Sequence, residues 1–200
     1  MIAVIDYRAG NLTSVVKALR HLAADVTVTE SPADVAAAER IILPGVGHFA
    51  ATRRLDETGI TTAVRDAIAS DIPFLGICVG MQWLLEGSTE APDQPGLGYF
   101  QGRCERFPEG SGKVPHVGWN SLAVRPESRV FTGIPNRSFA YFTHSYRVPV
   151  SFATAAVTDY GEPFASAVEH NNVFGVQFHP EKSGETGLRV LRNFLEWLPC

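Results

Sequence analysis

The residue with the clearest potential for chemistry in this sequence is a cysteine placed between two glycines. Cys78 follows the apolar run 72–75, and Gly76 and Gly80 stand two residues to either side of it. A strand that ends in such a turn and continues into a helix is typical of a nucleophile elbow, where the glycines allow a sharp backbone reversal. The N–H groups that open the helix favour the thiolate, which is the reactive form of cysteine. The pattern therefore indicates nucleophilic catalysis by a thiol.

A base for this thiol stands at the end of a second apolar run. Residues 173–178 are typical of a buried strand, and His179, Pro180 and Glu181 follow it. On its own, a cysteine is usually a small buried hydrophobe, and a lone histidine is usually an ordinary hydrogen-bonded residue. If the two strands are parallel neighbours, however, thiol and imidazole share the carboxyl edge of the sheet, where α/β folds collect ligands. Glu181 would then orient the ring, so Cys78, His179 and Glu181 make a candidate catalytic triad.

The elements that must position the triad alternate between strand and helix in the first half of the chain. Short apolar runs predict strands, and apolar residues at helical spacing predict helices between them. The predicted strands are 2–5, 26–28, 41–43 and 72–77, and the predicted helices fall around 12–22, 33–39, 60–68 and 81–85. Alternation of this kind requires crossover connections, which imply a parallel sheet covered by helices on both faces.

The second half of the chain has a different pattern. The segment 87–118 is rich in glycine and proline and shows little helical periodicity. Later segments predict strands at 139–142, 152–158, 163–169 and 173–178. A last helix is predicted from the stripe Leu188, Leu191, Leu195 and Leu198. The predicted fold class is therefore α/β, with a mixed, mostly parallel central sheet, helices on both faces and an added antiparallel layer, in a single domain spanning 1–200.

The composition argues against several classes of function. A net charge of −4 and an isoelectric point near 5.9 argue against a nucleic-acid partner. We see neither a secretory leader nor a membrane-spanning segment, so a cytoplasmic protein without a membrane partner is expected. Cys78, Cys104 and Cys200 lack the spacing of metal ligands, and no P-loop or dinucleotide-binding glycine motif is present. We therefore expect no metal and no cofactor.

Motifs around the triad resemble those of a known family. The segments 76–82 and 178–183 resemble the nucleophile and base motifs of class I, triad-type glutamine amidotransferases, and the resemblance covers nearly the whole chain. Within this class the chain most resembles the glutaminase subunits of imidazole glycerol phosphate synthase, an enzyme of histidine biosynthesis. That narrower resemblance rests on Asp6-Tyr7, Gly10-Asn11 and the segments 113–120 and 144–146. One departure is visible, because Arg8-Ala9 stand where the family usually has a glycine after Asp-Tyr.

The resemblance implies that the chain hydrolyses L-glutamine by acyl transfer. Cys78, as a thiolate, attacks the carboxamide carbon of the substrate. His179 protonates the departing ammonia and then activates water, while Glu181 fixes the imidazole. Ammonia is the useful product, so a covered exit to a synthase is expected.

The resemblance also assigns the groups around the triad. Oxyanion donors are expected from the backbone of Val79, which follows the nucleophile, and from Val46 with Gly47 in the glycine-rich segment 44–47. A plain turn after a strand is the alternative for that segment. The polar head groups of the substrate are assigned to Gln82, Glu90 and the backbone of Ser145.

A heterodimer with a cyclase subunit that folds as a (β/α)8 barrel is implied as well. The segment 113–120 places a lysine, His116 and Trp119 in a proline-bounded loop, and such basic and aromatic groups are typical interface anchors. The residues predicted to face the cyclase are Trp119, Asn120, Tyr141 and Lys182. Of the remaining histidines, His21 and His170 are expected to be exposed.

Three alternative functions remain open at this point. The chain is also compatible with an amidotransferase subunit of another synthase, such as anthranilate or aminodeoxychorismate synthase, although the segment 115–120 argues against it. A non-catalytic regulatory subunit on the same fold would show a damaged triad, and all three members are present. A simple hydrolase with a cysteine elbow is the third alternative, and it needs no His-Pro-Glu sequence at a strand end.

Overall fold

Three β-sheets and six α-helices make up the structure, which is a computed structural model describing residues 1–9 and 12–198. The first half contains β1 (Ile2–Ile5), α1 (Leu12–His21), β2 (Val26–Thr29), α2 (Pro32–Ala36), β3 (Arg40–Gly45), α3 (Arg53–Glu57), α4 (Ile60–Ala69), β4 (Phe74–Cys78) and α5 (Val79–Trp83). The second half contains β5 (Gly87–Ser88), β6 (Ala91–Pro95), β7 (Arg103–Arg106), β8 (His116–Ser121), β9 (Ala123–Val124), β10 (Phe139–His144), β11 (Tyr146–Arg147), β12 (Thr154–Asp159), β13 (Pro163–His170), β14 (Val173–Val176) and α6 (Gly184–Glu196).

The largest sheet has eight strands in the order β2-β1-β3-β4-β14-β13-β12-β9. Its first five strands are parallel, and β13, β12 and β9 extend it by antiparallel pairing. The prediction of a mixed, mostly parallel sheet is confirmed. In particular, β4 and β14 are parallel neighbours, with Ile77 opposite Val176. The segments that follow these two strands therefore emerge at the same edge.

Helices cover both faces of this sheet, as the strand order requires. The crossover from β1 to β2 runs in one direction along the sheet, whereas those from β2 to β3 and from β3 to β4 run in the other. Because crossovers between parallel strands are right-handed, α1 lies on one face and α2 and α4 lie on the opposite face. Accordingly, α2 packs against α4, while α1 and α6 both contact a 3₁₀ turn at Pro180–Lys182. The strands between the two layers, such as β1 and β14, are buried at every residue.

Two smaller sheets form the added layer. Strands β8 and β10 pair as an antiparallel ribbon, and β11, β7, β5 and β6 form a four-stranded sheet in that order. Pairing in the four-stranded sheet is antiparallel except between β5 and β7, which are parallel. Strands β5 to β9 and β11 were not predicted. Strands β5, β9 and β11 have only two residues each, and β5 to β8 begin in a segment rich in glycine and proline. No helix within 1–9 and 12–198 has the length and apolarity needed to cross a lipid bilayer.

Some predicted elements differ in extent from the structure. The strand predicted at 152–158 begins at Thr154, and the strand predicted at 173–178 ends at Val176. The stripe predicted for the last helix is partly right, because Leu191 is buried and Leu188 and Leu195 are half-buried. Leu198 is 73% exposed, since the helix ends at Glu196. The buried residues of α6 are Gly187, Val190, Leu191 and Phe194.

The turn after β1 keeps a left-handed backbone although it lacks the glycine usual in the family. Arg8 adopts a φ of +61°, a conformation that costs a non-glycine residue roughly 1–2 kcal/mol. Its N–H donates to Oδ1 of Asp6 at 2.7 Å, and its Nε donates to Glu30 at 3.3 Å. These contacts hold an arginine in a conformation that favours glycine. Gly10 and Asn11, which also carry the resemblance, lie outside the described residues.

Helix α5 begins directly after β4, and its first turn passes very close to the backbone of β3. A side chain on Gly80 would place its first carbon against the backbone carbonyl of Leu43, and one on Gly76 would meet the carbonyl of Gly80. Backbone atoms cannot move aside as the ends of side chains do, so both positions require glycine. The sharp turn between β4 and α5 therefore depends on these two glycines.

We expect Gly80→Ala to lower the free energy of unfolding by about 3 kcal/mol, because the added methyl group must push α5 away from β3. The measurement is equilibrium unfolding in urea. Gly98→Ala is the control, since Gly98 has a φ of +69° and open space around it. Alanine there costs only the backbone conformational penalty of about 1 kcal/mol. A Gly80→Ala variant as stable as the unaltered chain would contradict the close approach.

Candidate active site

The predicted elbow holds Cys78 in a strained backbone conformation. The residue ends β4 and precedes α5, with a φ of +55° and a ψ of −109°, a region that L-residues seldom occupy. Strain of this kind persists where the surrounding structure enforces it, which is common at functional sites. The residue lines a cleft of about 260 Å³. Helix α5 has only five residues, so the effect expected of a helix on the thiolate is limited to its first-turn N–H groups.

The segment after β14 brings an imidazole and a carboxylate to the same edge. Nδ1 of His179 lies 3.0 Å from Oε1 of Glu181, and both side chains are almost fully buried. Because Nδ1 donates its hydrogen to the carboxylate, Nε2 is the ring nitrogen left for a reaction. Among the described residues Nε2 has no hydrogen-bond partner. The thiol of Cys78 lies near enough to affect the ring, but outside hydrogen-bond geometry.

Opposing effects set the protonation of His179. Burial of the ring lowers its pKa, but Cys78 and Glu181 favour the charged ring and together raise the pKa to about 9. The imidazolium is therefore the main form of the ring at neutral pH. A protonated ring beside Cys78 in turn stabilises the thiolate.

Strand β10 holds the histidine segment in position. The N–H of His179 donates to the carbonyl of Tyr141 at 2.9 Å, and the N–H of Tyr141 donates to Oγ of Ser183 at 2.9 Å. The Ser183 hydroxyl donates to the carbonyl of His179 at 2.7 Å. Ser183 is not among the predicted site residues, and the only signal for it is its place at the end of the motif 178–183.

The segment predicted to supply the oxyanion hole lies beside the nucleophile. Gly45 pairs with Cys78 at the end of β3 and β4, which carries the next two residues to the mouth of the cleft. Val46 is half-buried, Gly47 is exposed with a φ of +102°, and both line the cleft together with Val79. The structure thus brings the three predicted oxyanion residues next to the thiol. Their role as donors stays a prediction.

The three residues predicted to hold the substrate also line this cleft. Gln82 is buried on α5 rather than exposed on the helix surface, and its Nε2 donates to the carbonyl of Tyr146 at 3.1 Å. Oε2 of Glu90 accepts from the N–H of Phe49 at 2.7 Å. Ser145 lies between β10 and β11 on the opposite wall. The cleft therefore offers an amide, a carboxylate and backbone groups close to Cys78.

The residues predicted to meet a partner are only partly brought together. Trp119 on β8 lies opposite Tyr141 on β10, with ring centroids 6.0 Å apart, and Nζ of Lys182 lies 5.8 Å from the centre of the tyrosine ring. Asn120 points to the other side of the ribbon, where its Nδ2 donates to the carbonyl of Asp159 at 2.9 Å. Contact of these four residues with a partner stays a prediction.

Val117 and Phe139, which are exposed, and the half-buried Thr143 join Trp119 and Tyr141 on the outer face of the ribbon. We call the set the aromatic patch, and it consists of Val117, Trp119, Phe139, Tyr141 and Thr143. Val117, Trp119 and Phe139 are each more than half exposed. A contiguous apolar face of this kind on a protein surface marks an interaction site.

The expectation that the segment 113–120 is a loop is wrong from His116 onward, where strand β8 begins. His116 is buried on β8, and its ring stacks on Tyr160 with centroids 4.0 Å apart. Nδ1 of His144 donates to the carbonyl of Tyr146 at 2.8 Å, so Nε2 of His144 accepts from Nδ1 of His116 at 3.1 Å. Burial lowers the pKa of His116 to about 4 and that of His144 to about 3, so both rings are neutral. His21 and His170 are exposed, as expected.

Two buried polar residues at the site were not predicted. Nε2 of Gln177 donates to Sγ of Cys78 at 3.6 Å, and the signal for it is a single amide in the apolar run 173–178. The hydroxyl of Tyr7 is buried without a partner in the described parts, and burial, with Cys78 nearby, raises its pKa. Cys104 is buried away from the cleft, and burial raises its pKa. Cys200 lies outside the described residues.

No group of three or more His, Cys, Asp or Glu side chains in residues 1–9 and 12–198 is arranged to hold a metal ion. The side chains gathered at this edge, a thiol beside an imidazolium, suit nucleophilic catalysis by a thiolate.

We expect the pKa of His179 to fall from about 9 toward its ordinary value in Cys78→Ala, because the variant lacks the sulfur that favours the charged ring. The measurement is an NMR titration of the ring Cε1 proton, with exposed His21 as internal reference. A raised pKa stabilises the folded state fully below about pH 6.5, and this stability is lost as the pH rises toward 9. The variant should lose less stability over that range. An unchanged titration of His179 would contradict the assigned cause.

Comparison with known sequences agrees with this geometry. The sequence model of the family described as "Glutamine amidotransferase class-I" matches residues 3–197. The imidazole glycerol phosphate synthase subunit HisH of Dechloromonas aromatica (strain RCB) is 49% identical over 211 aligned positions, covering 99% of this chain and 97% of that protein. The subunit of the same name from Caldanaerobacter subterraneus subsp. tengcongensis is 45% identical, and the alignment covers 100% of both.

Solved structures show the same fold. A structure described as a crystal structure of glutamine amidotransferase superposes with a TM-score of 0.77 over 98% of both chains, at 21% sequence identity. At that identity the likeness bears on the fold alone, whereas the sequence matches above are far closer. The chain thus belongs to the class I glutamine amidotransferase family and, within it, to the family of HisH subunits of imidazole glycerol phosphate synthase.

Proposed function

We propose that this chain hydrolyses L-glutamine to glutamate and ammonia and passes the ammonia to a cyclase subunit in the cytoplasm. The observation that carries the proposal is the strained elbow of Cys78 beside the buried pair His179–Glu181. The cyclase consumes the ammonia in histidine biosynthesis, where it forms imidazole glycerol phosphate and an aminoimidazole carboxamide ribotide. The names of the relatives support this assignment over anthranilate or aminodeoxychorismate synthesis.

The first half of the reaction releases ammonia. The thiolate of Cys78 adds to the carboxamide carbon, and the carbonyl oxygen takes up the negative charge. Backbone N–H groups of Val79 and Val46 stabilise this oxyanion. As the carbon–nitrogen bond breaks, imidazolium Nε2 of His179 gives its proton to the leaving nitrogen, and a thioester remains on the sulfur.

The second half of the reaction restores the enzyme. His179 is now neutral and takes a proton from water, whose oxygen adds to the thioester carbon. Collapse of this intermediate breaks the carbon–sulfur bond, releases glutamate and returns the thiolate beside an imidazolium. Glu181 keeps Nδ1 protonated throughout, so Nε2 alone exchanges protons with the substrate.

The polar walls of the cleft suit the other end of glutamine. The side chain of Glu90 pairs with the α-ammonium group of the substrate. The backbone of Ser145 receives the α-carboxylate. The nitrogen of the Gln82 amide already donates to Tyr146 and Gln177, so its oxygen accepts from the α-ammonium group. A volume of about 260 Å³ is close to the smallest sites that hold small ligands, as expected for an amino acid.

A partner on the aromatic patch would sit directly above the catalytic histidine. Tyr141 belongs to the patch, and its backbone carbonyl accepts from the N–H of His179. Lys182, one residue after Glu181, lies over the same tyrosine ring. We assign this face to a (β/α)8 cyclase subunit, so that ammonia leaves the cleft beneath a covered surface and binding of the partner bears on the triad.

We expect Cys78→Ala to abolish the release of glutamate from glutamine while leaving the synthesis of imidazole glycerol phosphate from added ammonia intact. The nucleophile is lost, but the cyclase does not need it when ammonia is supplied. The measurements are glutamate release and product formation in the complex with the cyclase. Glutamate release that survives the substitution would remove Cys78 from the mechanism.

Trp119→Ala should weaken binding to the cyclase by roughly thirtyfold, since an interface tryptophan typically contributes about 2 kcal/mol. The measurement is calorimetric titration of this chain with the cyclase. Phe152→Ala is the matched control, because Phe152 is 72% exposed and its ring meets that of His170 edge to face, at the edge of the sheet opposite to the triad. Equal loss of affinity in both variants would place the interface elsewhere.

A further inference from the structure

We propose that Gln177 is a positioning residue, which holds the sulfur of Cys78 as a hydrogen-bond acceptor and thereby favours the thiolate. The inference deepens the proposed function, on which it rests for its consequence in catalysis. It stands on a chain of hydrogen bonds that runs from the sulfur of Cys78 through the side chains of Gln177 and Gln82 to the backbone of Tyr146.

The Gln177 side chain is fixed at both ends. The residue directly follows β14 and is fully buried, and its N–H donates to the carbonyl of Ser166 at 2.9 Å. Its side-chain Nε2 donates to Sγ of Cys78 at 3.6 Å, and its Oε1 accepts from Nε2 of Gln82 at 3.1 Å. Within residues 1–9 and 12–198, this is the one hydrogen bond to the sulfur of Cys78.

The direction of the bond to sulfur follows from the backbone. A carbonyl oxygen only accepts, so the atom of Gln82 that lies 3.1 Å from the carbonyl of Tyr146 must be its nitrogen. The two hydrogens of that nitrogen then go to Tyr146 and to Gln177. Gln177 must therefore present its oxygen to Gln82, which leaves its own nitrogen for the sulfur of Cys78. The carbonyl of Tyr146, which can only accept, therefore fixes the orientation of both side-chain amides.

A donor aimed at the sulfur acts on the charge of the thiol. A hydrogen bond to the charged form favours that form, so the amide of Gln177 lowers the cost of ionising Cys78. The bond also holds the sulfur from the side of β14, because Gln177 lies in the segment that follows that strand. His179 balances the charge of the thiolate, while Gln177 fixes the position of the sulfur.

The chain of bonds also links substrate binding to the nucleophile. Gln82 lines the cleft and is the residue that orients Gln177. A substrate group that forms a hydrogen bond with the Gln82 amide therefore also affects Gln177, whose amide donates to the sulfur of Cys78. No direct contact between the substrate and Gln177 is needed for this effect.

The test is the rate of alkylation of Cys78 by iodoacetamide as a function of pH, read by mass spectrometry of the peptide that contains Cys78. Gln177→Met keeps the length of the side chain and removes the donor, so the apparent pKa of the thiol should rise and the alkylation profile should move to higher pH by about one unit. Gln177→Glu should raise it further, because a carboxylate beside the sulfur repels the thiolate. Ser166→Ala is the control, since its buried hydroxyl has no partner in the described parts.

Gln177→Asn keeps a polar side chain at this position, so it provides a second test in case Gln177→Met does not fold. Its amide is one methylene too short to reach the sulfur, so it should raise the pKa of the thiol as Gln177→Met does. An alkylation profile that matches the unaltered chain in the folded Met or Asn variant would overturn the proposal. Because the assay needs no glutamine, this outcome is independent of whether the chain is a glutaminase.

Discussion

The parallel pairing of β4 with β14 is the interaction on which the rest of the site depends. Cys78 ends one strand, His179 follows the other, and only this pairing brings the two ends to one edge. Gly175 stands opposite Gly76 in the register, and a side chain on Gly175 would press into Met81 of α5. Because buried parallel strands need helices on both faces, the helical layers serve the geometry of the site as much as its stability.

The buried histidines show how neighbours, rather than burial, decide charge. His179 lies beside Glu181 and Cys78, and its pKa is raised to about 9. His116 and His144 are also buried, but they lie among aromatic rings and receive no contribution from a carboxylate, so the pKa of each is lowered. One imidazole is therefore an acid at neutral pH, whereas the other two are neutral links in a hydrogen-bonded chain that supports the ribbon of β8 and β10.

Sequence reasoning predicted the parallel core and the strand ends that carry the triad. Strands such as β1, β4 and β14 are buried throughout, and this physical demand leaves a continuous apolar run that is visible without any structure. The glycines around Cys78 are equally visible, because the close approach of α5 to β3 excludes any side chain. The predicted triad required β4 and β14 to be parallel neighbours, and they are.

Features that depend on distant partners were not predictable in the same way. Strand β8 turns the imidazole of His116 into the interior, which nothing nearby in the sequence indicated, whereas Trp119 on the same strand is exposed, as expected of a residue predicted to face a partner. The inward imidazole is acceptable only because His144, 28 residues later, satisfies it. In the same way, nothing near Gln177 in the sequence shows that its amide meets a sulfur 99 positions away. The local sequence pattern predicts helices and strands, whereas the hydrogen-bond partners of buried polar side chains depend on the tertiary fold.

The outward face of the ribbon has a consequence for how the chain is produced. An aromatic patch left bare attracts the same patch on a second copy, since apolar surface is removed from water by either encounter. Copies made in excess over whatever covers Trp119 and Phe139 are therefore prone to self-association. In the heterodimer proposed above, balanced synthesis of the two subunits, by translation from one message or by matched expression, would keep that surface covered from the start.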